Sequence, residues 1–191
     1  IIQTRIDSPV RNEKIQAQRV ARAFIISFAY GLDRVFWYHL RAFEKNPADW
    51  ESYYGIVHKD FSPKPAFHAY ETLARMLPEG STRPELRTDG CKYHATWETP
   101  AKRRITALWS MIPGEEYAVK PGKTEVYDYL GRKVEAKTLE LGAGVYYLVE
   151  KMTSRVMVAD TDKGQELKEQ IEDLKELVAA YREGTIKERI E

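Results

Sequence analysis

The side chains that could bind a metal or act as a nucleophile are few, and they do not cluster in the sequence. His58, His68 and His94 show no metal-ligand spacing with one another or with Cys91, the single cysteine. The sequence also has no phosphate-binding glycine loop, nucleophile elbow or nucleotide fingerprint. We therefore expect no metal and no cofactor, surface or capping roles for these histidines, and an inert, buried thiol.

Paired carboxylates are the other groups that could hydrolyse a substrate, one as an acid and the other as a nucleophile or base. No carboxylate of this chain is assigned to catalysis by its position. Glu44, Glu51 and Glu98 are each typical of a solvated surface charge. The catalytic residues are therefore unknown at this point.

Composition excludes several partners. Lys and Arg total 30 against 29 for Asp and Glu in 191 residues, so no net field attracts nucleic acid. The most apolar stretch, residues 21–30, is interrupted by Arg22 and is too short to span a membrane. The chain begins Ile1-Ile2 without an initiator Met, and we expect it to start in the middle of a larger protein.

The first part of the chain alternates between helical and strand patterns. Apolar residues recur every four positions from Asn12 to Tyr30, which predicts a helix ended by Gly31. Residues 32–40 are rich in aromatic and β-branched types and predict a strand. A second helix is predicted to begin at residues 62–65 and to stop at Pro78. Helix, tight turn and strand are typical of an α/β fold.

Beyond a linker at residues 77–84, the pattern changes to alternation with period two. Short strands with turn signals between them predict an antiparallel β-sandwich or partial barrel. The predicted strands are Lys92–Glu98, Arg103–Met111, Glu115–Val119, Thr124–Tyr129, Lys133–Ala136, Gly144–Glu150 and Arg155–Ala159.

The tail carries apolar residues at alternating steps of four and three, which predicts an amphipathic helix. The residues are Leu167, Ile171, Leu174, Val178 and Tyr181. Two interpretations are open, docking on the chain's own domain and self-association into a homo-oligomer. The predicted domains are thus residues 1–78, 79–160 and 161–191.

Three stretches of the first domain, residues 16–24, 31–38 and 55–70, carry a family resemblance. The phrase Gly55-Ile56-Val57-His58-Lys59-Asp60-Phe61-Ser62-Pro63-Lys64-Pro65-Ala66 after an aromatic strand resembles the end of clan-A-type glycoside hydrolases, which include cellulases and β-xylosidases. Segments 107–110, 126–131 and 144–148 are similar to the β-domain that often follows such barrels. The resemblance implies the end of a (β/α)8 barrel, an antiparallel β-sandwich and then a C-terminal helix.

The resemblance also implies where catalysis would occur. In that family the two carboxyls lie at the ends of the fourth and seventh strands, and the fourth strand is not in this chain. Where the family has Thr-Glu on the seventh strand, this sequence offers Thr4-Arg5. Either the catalytic Glu lies upstream, or Arg5 replaces it in a non-hydrolytic relative, because a guanidinium stays protonated and cannot attack.

By the same resemblance, Trp37 and His39 are the predicted substrate-binding residues. In the related enzymes an aromatic residue at this point stacks under a sugar ring, and His39 would contact a hydroxyl. The alternative for Trp37 is core packing between barrel and helix. The expected function is thus the C-terminal portion of a hydrolase of O-glycosidic bonds, inactive alone and completed in cis or by another chain. The second hypothesis is a non-catalytic glycan-binding or assembly protein.

Overall fold

The computed structural model describes residues 9–43, 50–120, 122 and 124–152, which belong to one compact unit, residues 1–152. Thr4-Arg5, Glu44, the predicted strand Arg155–Ala159 and the apolar seam of the tail lie outside the described residues. The described part is mostly antiparallel sheet with two α-helices, α1 (Pro9–Ala29) and α2 (Pro65–Met76). A short 3-10 helix, Trp50–Tyr53, lies between them.

Helix α1 buries the apolar stripe that its sequence predicts. Ala17, Val20, Ala21, Phe24 and Ile25 are all buried. The helix ends where Gly31 adopts a φ of 87°, which a residue with a Cβ rarely tolerates. The amide of residue 31 donates to the carbonyl of residue 28 at 3.0 Å, and that of residue 32 to the carbonyl of residue 27 at 3.1 Å. These bonds satisfy carbonyls that the helix end leaves unpaired.

Helix α2 packs on α1 and is tied to the sheet at its C-terminal end. Pro65 opens the helix at a position where a missing N–H costs nothing. The buried residues Ala66 and Ala69 are small, which allows the two helices to approach closely. The carbonyl of Met76 accepts a hydrogen bond of 2.8 Å from the indole Nε1 of Trp97, so the last turn is capped from the sheet.

The strands form two antiparallel sheets. They are β1 (Glu85–Asp89), β2 (Lys92–Glu98), β3 (Arg103–Ser110), β4 (Glu115–Ala118), β5 (Thr124–Asp128), β6 (Thr138–Leu141) and β7 (Tyr146–Lys151). The larger has the order β1-β2-β3-β7-β5 and the smaller pairs β4 with β6. The register places Tyr93 opposite Trp109, whose rings stack 5.2 Å apart.

Each face of the five-stranded sheet has its own apolar cluster. One face packs on the helices and carries Trp97, Trp109 and Tyr147, all essentially inaccessible to solvent. The opposite face packs with the β4–β6 pair through Leu108 and Leu148. Trp97 and Trp109 therefore face the helices and not the interior of a sandwich, and the sheet forms the middle layer of the described unit.

Several predicted elements differ from the observed ones. Residues 32–40 are not a strand, because a strand needs a hydrogen-bonded neighbour along its length. Among the described residues, pairing is confined to the end of this segment, where the carbonyls of His39 and Leu40 accept from residues 56 and 57 beside a parallel bridge from Arg41 to Val57. The end of a (β/α)8 barrel is thus not confirmed. Residues 133–136 form only an isolated bridge from Lys133 to Tyr127. Strands β1 and β6 were not predicted.

Candidate functional site

The predicted substrate-binding residues lie in an extended segment whose side chains alternate between two sides. Trp37 and His39 are half-buried, whereas Phe36 and Tyr38 are 88% and 63% exposed. Alternation of this kind follows from extended backbone, in which successive side chains point in opposite directions. The aromatic rings presented to solvent are therefore those of the even-numbered residues.

Trp37 packs towards the helices. Its ring is stacked on Phe24 of α1, with ring centroids 6.5 Å apart and planes inclined by 25°. Its indole Nε1 donates a hydrogen bond of 3.2 Å to the carbonyl of Tyr54. One face and the polar edge of the indole are thus occupied by the protein itself.

His39 is held between two aromatic rings. Tyr38 lies edge-on at 4.5 Å and Phe43 lies at 4.8 Å. Both ring nitrogens of His39 are buried, and neither has a hydrogen-bond partner among the described residues. An imidazole normally satisfies both nitrogens when it is buried, so this ring has an unused donor and an unused acceptor.

A buried lysine fixes the loop before α2 onto α1. Lys64 is 1% exposed, and its Nζ donates to the carbonyl of Tyr53 at 3.3 Å. The carboxylate of Glu13 lies 3.9 Å from this Nζ and 3.7 Å from Nε2 of His58. Gln16 donates from the same helix to the carbonyl of Tyr54 at 2.8 Å. This cluster positions the segment that accepts the Trp37 hydrogen bond.

The other sequence candidates are dispersed over the surface. His68 contacts Glu71 at 3.5 Å within α2, and Glu98 pairs with Arg104 at 3.1 Å. Partial burial lowers the pKa of His94.

Within the ranges that the structure describes, no group of three or more His, Cys, Asp or Glu side chains is arranged to hold a metal ion. In those same ranges no helix has the length and apolar character to cross a membrane, as expected.

Comparison with a solved structure bears on the fold. The chain is similar to a family 39 glycoside hydrolase from the gut symbiont Bacteroides cellulosilyticus WH2, with a TM-score of 0.63 and 24% identity. The similarity covers 73% of this chain and 31% of that one. The described unit therefore has a glycoside hydrolase-like fold, and at this identity the likeness concerns the fold alone.

Comparison of sequences points to a different activity. The model of the Firmicute fructose-1,6-bisphosphatase family matches residues 135–183, about a quarter of the chain. Class 3 fructose-1,6-bisphosphatases match over similar lengths, at 62% identity over 42 residues for Phocaeicola vulgatus and 57% over 42 residues for Clostridium novyi. The Parabacteroides distasonis enzyme is 47% identical over 57 residues.

The matched stretch is a small part of this chain and a smaller part of each relative. It covers 22% to 28% of this chain, and the chain spans only 6% to 9% of the length of these three relatives. The family match begins within the described unit, because residues 135–152 include β6 and β7.

These findings correct the functional prediction. The expected hydrolysis of O-glycosidic bonds and the expected carbohydrate substrate are wrong, because the sequence matches name a fructose-1,6-bisphosphatase. The non-catalytic glycan-binding alternative is wrong for the same reason. The resemblance rested on residues that determine the fold, and proteins of one fold can have unrelated activities. No mechanistic motif lies in residues 135–183, so only a comparison of whole segments could have found this signal.

Proposed function

We propose that this chain takes part in removing phosphate from a phosphorylated sugar, as a non-catalytic piece of a phosphatase. The observation that carries the proposal is the match of residues 135–183 to the fructose-1,6-bisphosphatase family. The substrate class follows from the names of the relatives, and the hydrolytic groups are assigned to polypeptide outside this chain.

The described part of the matched segment supports this proposal. Leu139 and Leu141 of β6 are buried, as are Val145, Tyr147 and Leu148 around β7. The described part of the matched segment, residues 135–152, thus belongs to a packed core. Over 42 residues, this chain is 62% identical to the Phocaeicola vulgatus enzyme.

We also propose Trp37 and His39 as contacts to the sugar part of the ligand. The unused donor and acceptor of His39 support this assignment, because a sugar hydroxyl offers both an acceptor and a donor. Trp37 would contribute the ring face that Phe24 leaves uncovered.

The finer account of the fold is likewise a proposal. We assign residues 1–78 to the last part of a (β/α)8 barrel, residues 79–160 to a β-domain and residues 161–191 to a C-terminal helix. The order of α1, an extended aromatic segment and α2 supports the assignment of residues 1–78. The antiparallel pairing of strands β1 to β7 supports the assignment of the β-domain.

Phosphate release from fructose 1,6-bisphosphate tests the proposed function. The full chain is added in excess to the class 3 enzyme of Clostridium novyi, and the rate is compared with that of the enzyme alone. We expect no release by the chain alone, and a changed rate with co-purification in the mixture, because the shared segment can occupy the place of the enzyme's own.

Paired variants make this test specific. The double variant Leu167→Asp with Leu174→Asp changes two apolar residues within the matched residues, and it should abolish both the change in rate and the co-purification. Ile186→Asp changes an apolar residue outside the match and should leave both intact. An unchanged rate together with no co-purification would overturn the proposal.

A further inference from the structure

Two arginines lie about one turn apart on α1. Arg19 and Arg22 are both half-buried, and residues three apart on a helix are neighbours on its surface. Arg22 donates from Nε to the carbonyl of Gln18 at 3.2 Å, and its Nη1 lies 3.1 Å from the sulfur of Met111. The Nη1 of Arg19 is buried and has no hydrogen-bond partner in the part of the chain that the structure describes.

Within the described ranges, no ion pair balances the charges of this arginine pair. No carboxylate of the described residues lies within ion-pair distance of Arg19 or Arg22. Burial lowers the pKa of Arg22, the charge of Arg19 lowers it further, and only Tyr93 acts in the opposite direction. A guanidinium nevertheless stays protonated at neutral pH. Two partly desolvated like charges therefore lie near each other, and no carboxylate of the described part of the chain pairs with them.

The remaining contacts of the pair are weak ones. A thioether sulfur is a poor acceptor for a guanidinium, and Met111 is a flexible, exposed side chain that can turn aside. A tetrahedral oxyanion has several acceptor oxygens and can bond two guanidiniums at once. Such an anion would satisfy unused donors and offset the repulsion between the two cations.

We propose that Arg19 and Arg22 form a binding site for the phosphate group of a phosphate monoester, entered past Met111. The choice of a sugar phosphate as the ligand rests on the proposed function, whereas the anion site rests only on the geometry of the two arginines. The site is distinct from Trp37 and His39, and it gives the chain a means of holding phosphate without a glycine loop.

Calorimetric titration of the full chain at constant ionic strength tests the site. The probes are inorganic phosphate, fructose 1,6-bisphosphate and fructose. We expect both phosphates to bind, the bisphosphate more tightly, and fructose not to bind. Arg19→Gln and Arg22→Gln should each weaken phosphate binding about tenfold, the value of one charge-assisted hydrogen bond.

Two further variants separate the site from general charge. Arg22→Lys keeps the charge but loses the planar fork, and it should also weaken binding. Arg87→Gln removes a strongly exposed arginine elsewhere and should change nothing. Circular dichroism and the unfolding midpoint of each variant show that it is folded.

The outcomes separate the site from the proposed function. Phosphate binding that is absent, or equal in Arg19→Gln, Arg22→Gln and the native chain, overturns the anion site. If phosphate binds through the two arginines but the bisphosphate binds no more tightly, the anion site stands and its assignment to a sugar phosphate falls. The rate assay with the Clostridium novyi enzyme is decided independently of either result.

Discussion

At the scale of single residues, the described core contains a polar atom that packing alone does not explain. Tyr147 of β7 is fully buried, and its ring lies edge-on to Trp97 at 6.5 Å. Its hydroxyl has no hydrogen-bond partner among the described residues. A buried hydroxyl without a partner costs free energy, because it has given up its hydrogen bonds to water.

Tyr147→Phe should therefore raise the free energy of unfolding at pH 7, by about 1 kcal/mol, since it removes only the unpaired hydroxyl. Urea unfolding measures this change. The matched control is Tyr146→Phe, which removes a hydroxyl from the neighbouring, half-buried residue on the other face. A Tyr147→Phe protein that is less stable than this control would show that the hydroxyl has a favourable partner.

The burial of Tyr147 also predicts that the stability of the protein depends on pH in the alkaline range. Burial raises the pKa of Tyr147 far above its usual range, so the folded protein favours the neutral phenol. The neutral phenol's contribution to the free energy of unfolding is fully present below the pKa of about 10 that tyrosine has in the unfolded chain. As the pH rises above that value, the free energy of unfolding declines by about 1.4 kcal/mol per pH unit. In Tyr147→Phe the free energy of unfolding should therefore fall less steeply above pH about 10 than in the native protein. In Tyr146→Phe it should fall as steeply as in the native protein, and urea unfolding across this pH range measures both.

At the scale of elements, a close backbone approach joins the extended aromatic segment to the loop before α2. The amide of Ala42 donates to the carbonyl of Val57 at 2.9 Å, and that of Val57 to the carbonyl of Leu40 at 3.0 Å. Gly55 lies against this pair, and a Cβ at this position would overlap the backbone nitrogen of Ala42. The glycine is therefore required by space and not by its φ angle.

Gly55→Ala should lower the free energy of unfolding by about 2 kcal/mol, because backbone must shift to admit the methyl group. Gly142→Ala is the matched control, since a Cβ there meets no atom within 4 Å. Chemical denaturation of both variants gives the comparison. Equal stability of the two would mean that the 40–42 and 55–57 segments are more loosely packed than described.

The elements that the sequence predicts well are those whose signal is local. The fourfold spacing and Gly31 define α1, and the alternation of Trp97, Ile105 and Trp109 defines β2 and β3. Strand β1 was missed because it carries one apolar residue, Leu86, in an otherwise exposed stretch. Residues 32–40 have strand composition, but composition cannot show whether a neighbouring strand is present to pair with them.

The candidate site was predictable only in part for a related reason. The resemblance selected Trp37 and His39, and the alternation of an extended segment then determines that Phe36 and Tyr38 are the more exposed neighbours. The pairing of Arg19 with Arg22 follows from helical spacing. That no described carboxylate pairs with them depends on tertiary packing, which the spacing does not reveal.

At the scale of the whole molecule, large apolar side chains gather on one extended segment and beside it. Phe36, Tyr38, Leu40 and Phe43 are all exposed, and Phe61 lies nearby under Arg41, whose guanidinium is 4.5 Å from its ring centre. Single exposed apolar residues are common on soluble domains, but a contiguous group of this kind is not. The group is a surface from which water can be displaced favourably.

This aromatic surface should bind a hydrophobic dye, and Phe36→Ser with Leu40→Ser should lower dye fluorescence several-fold, because the two residues provide much of the exposed apolar area. Met111→Ser with Ile112→Ser is the matched control, since it removes two exposed apolar residues from the turn after β3. Light scattering of the same samples reports whether association falls with dye binding. If the control lowers fluorescence as much as the Phe36 and Leu40 pair does, exposed apolar area in general, and not the extended aromatic segment, accounts for the binding.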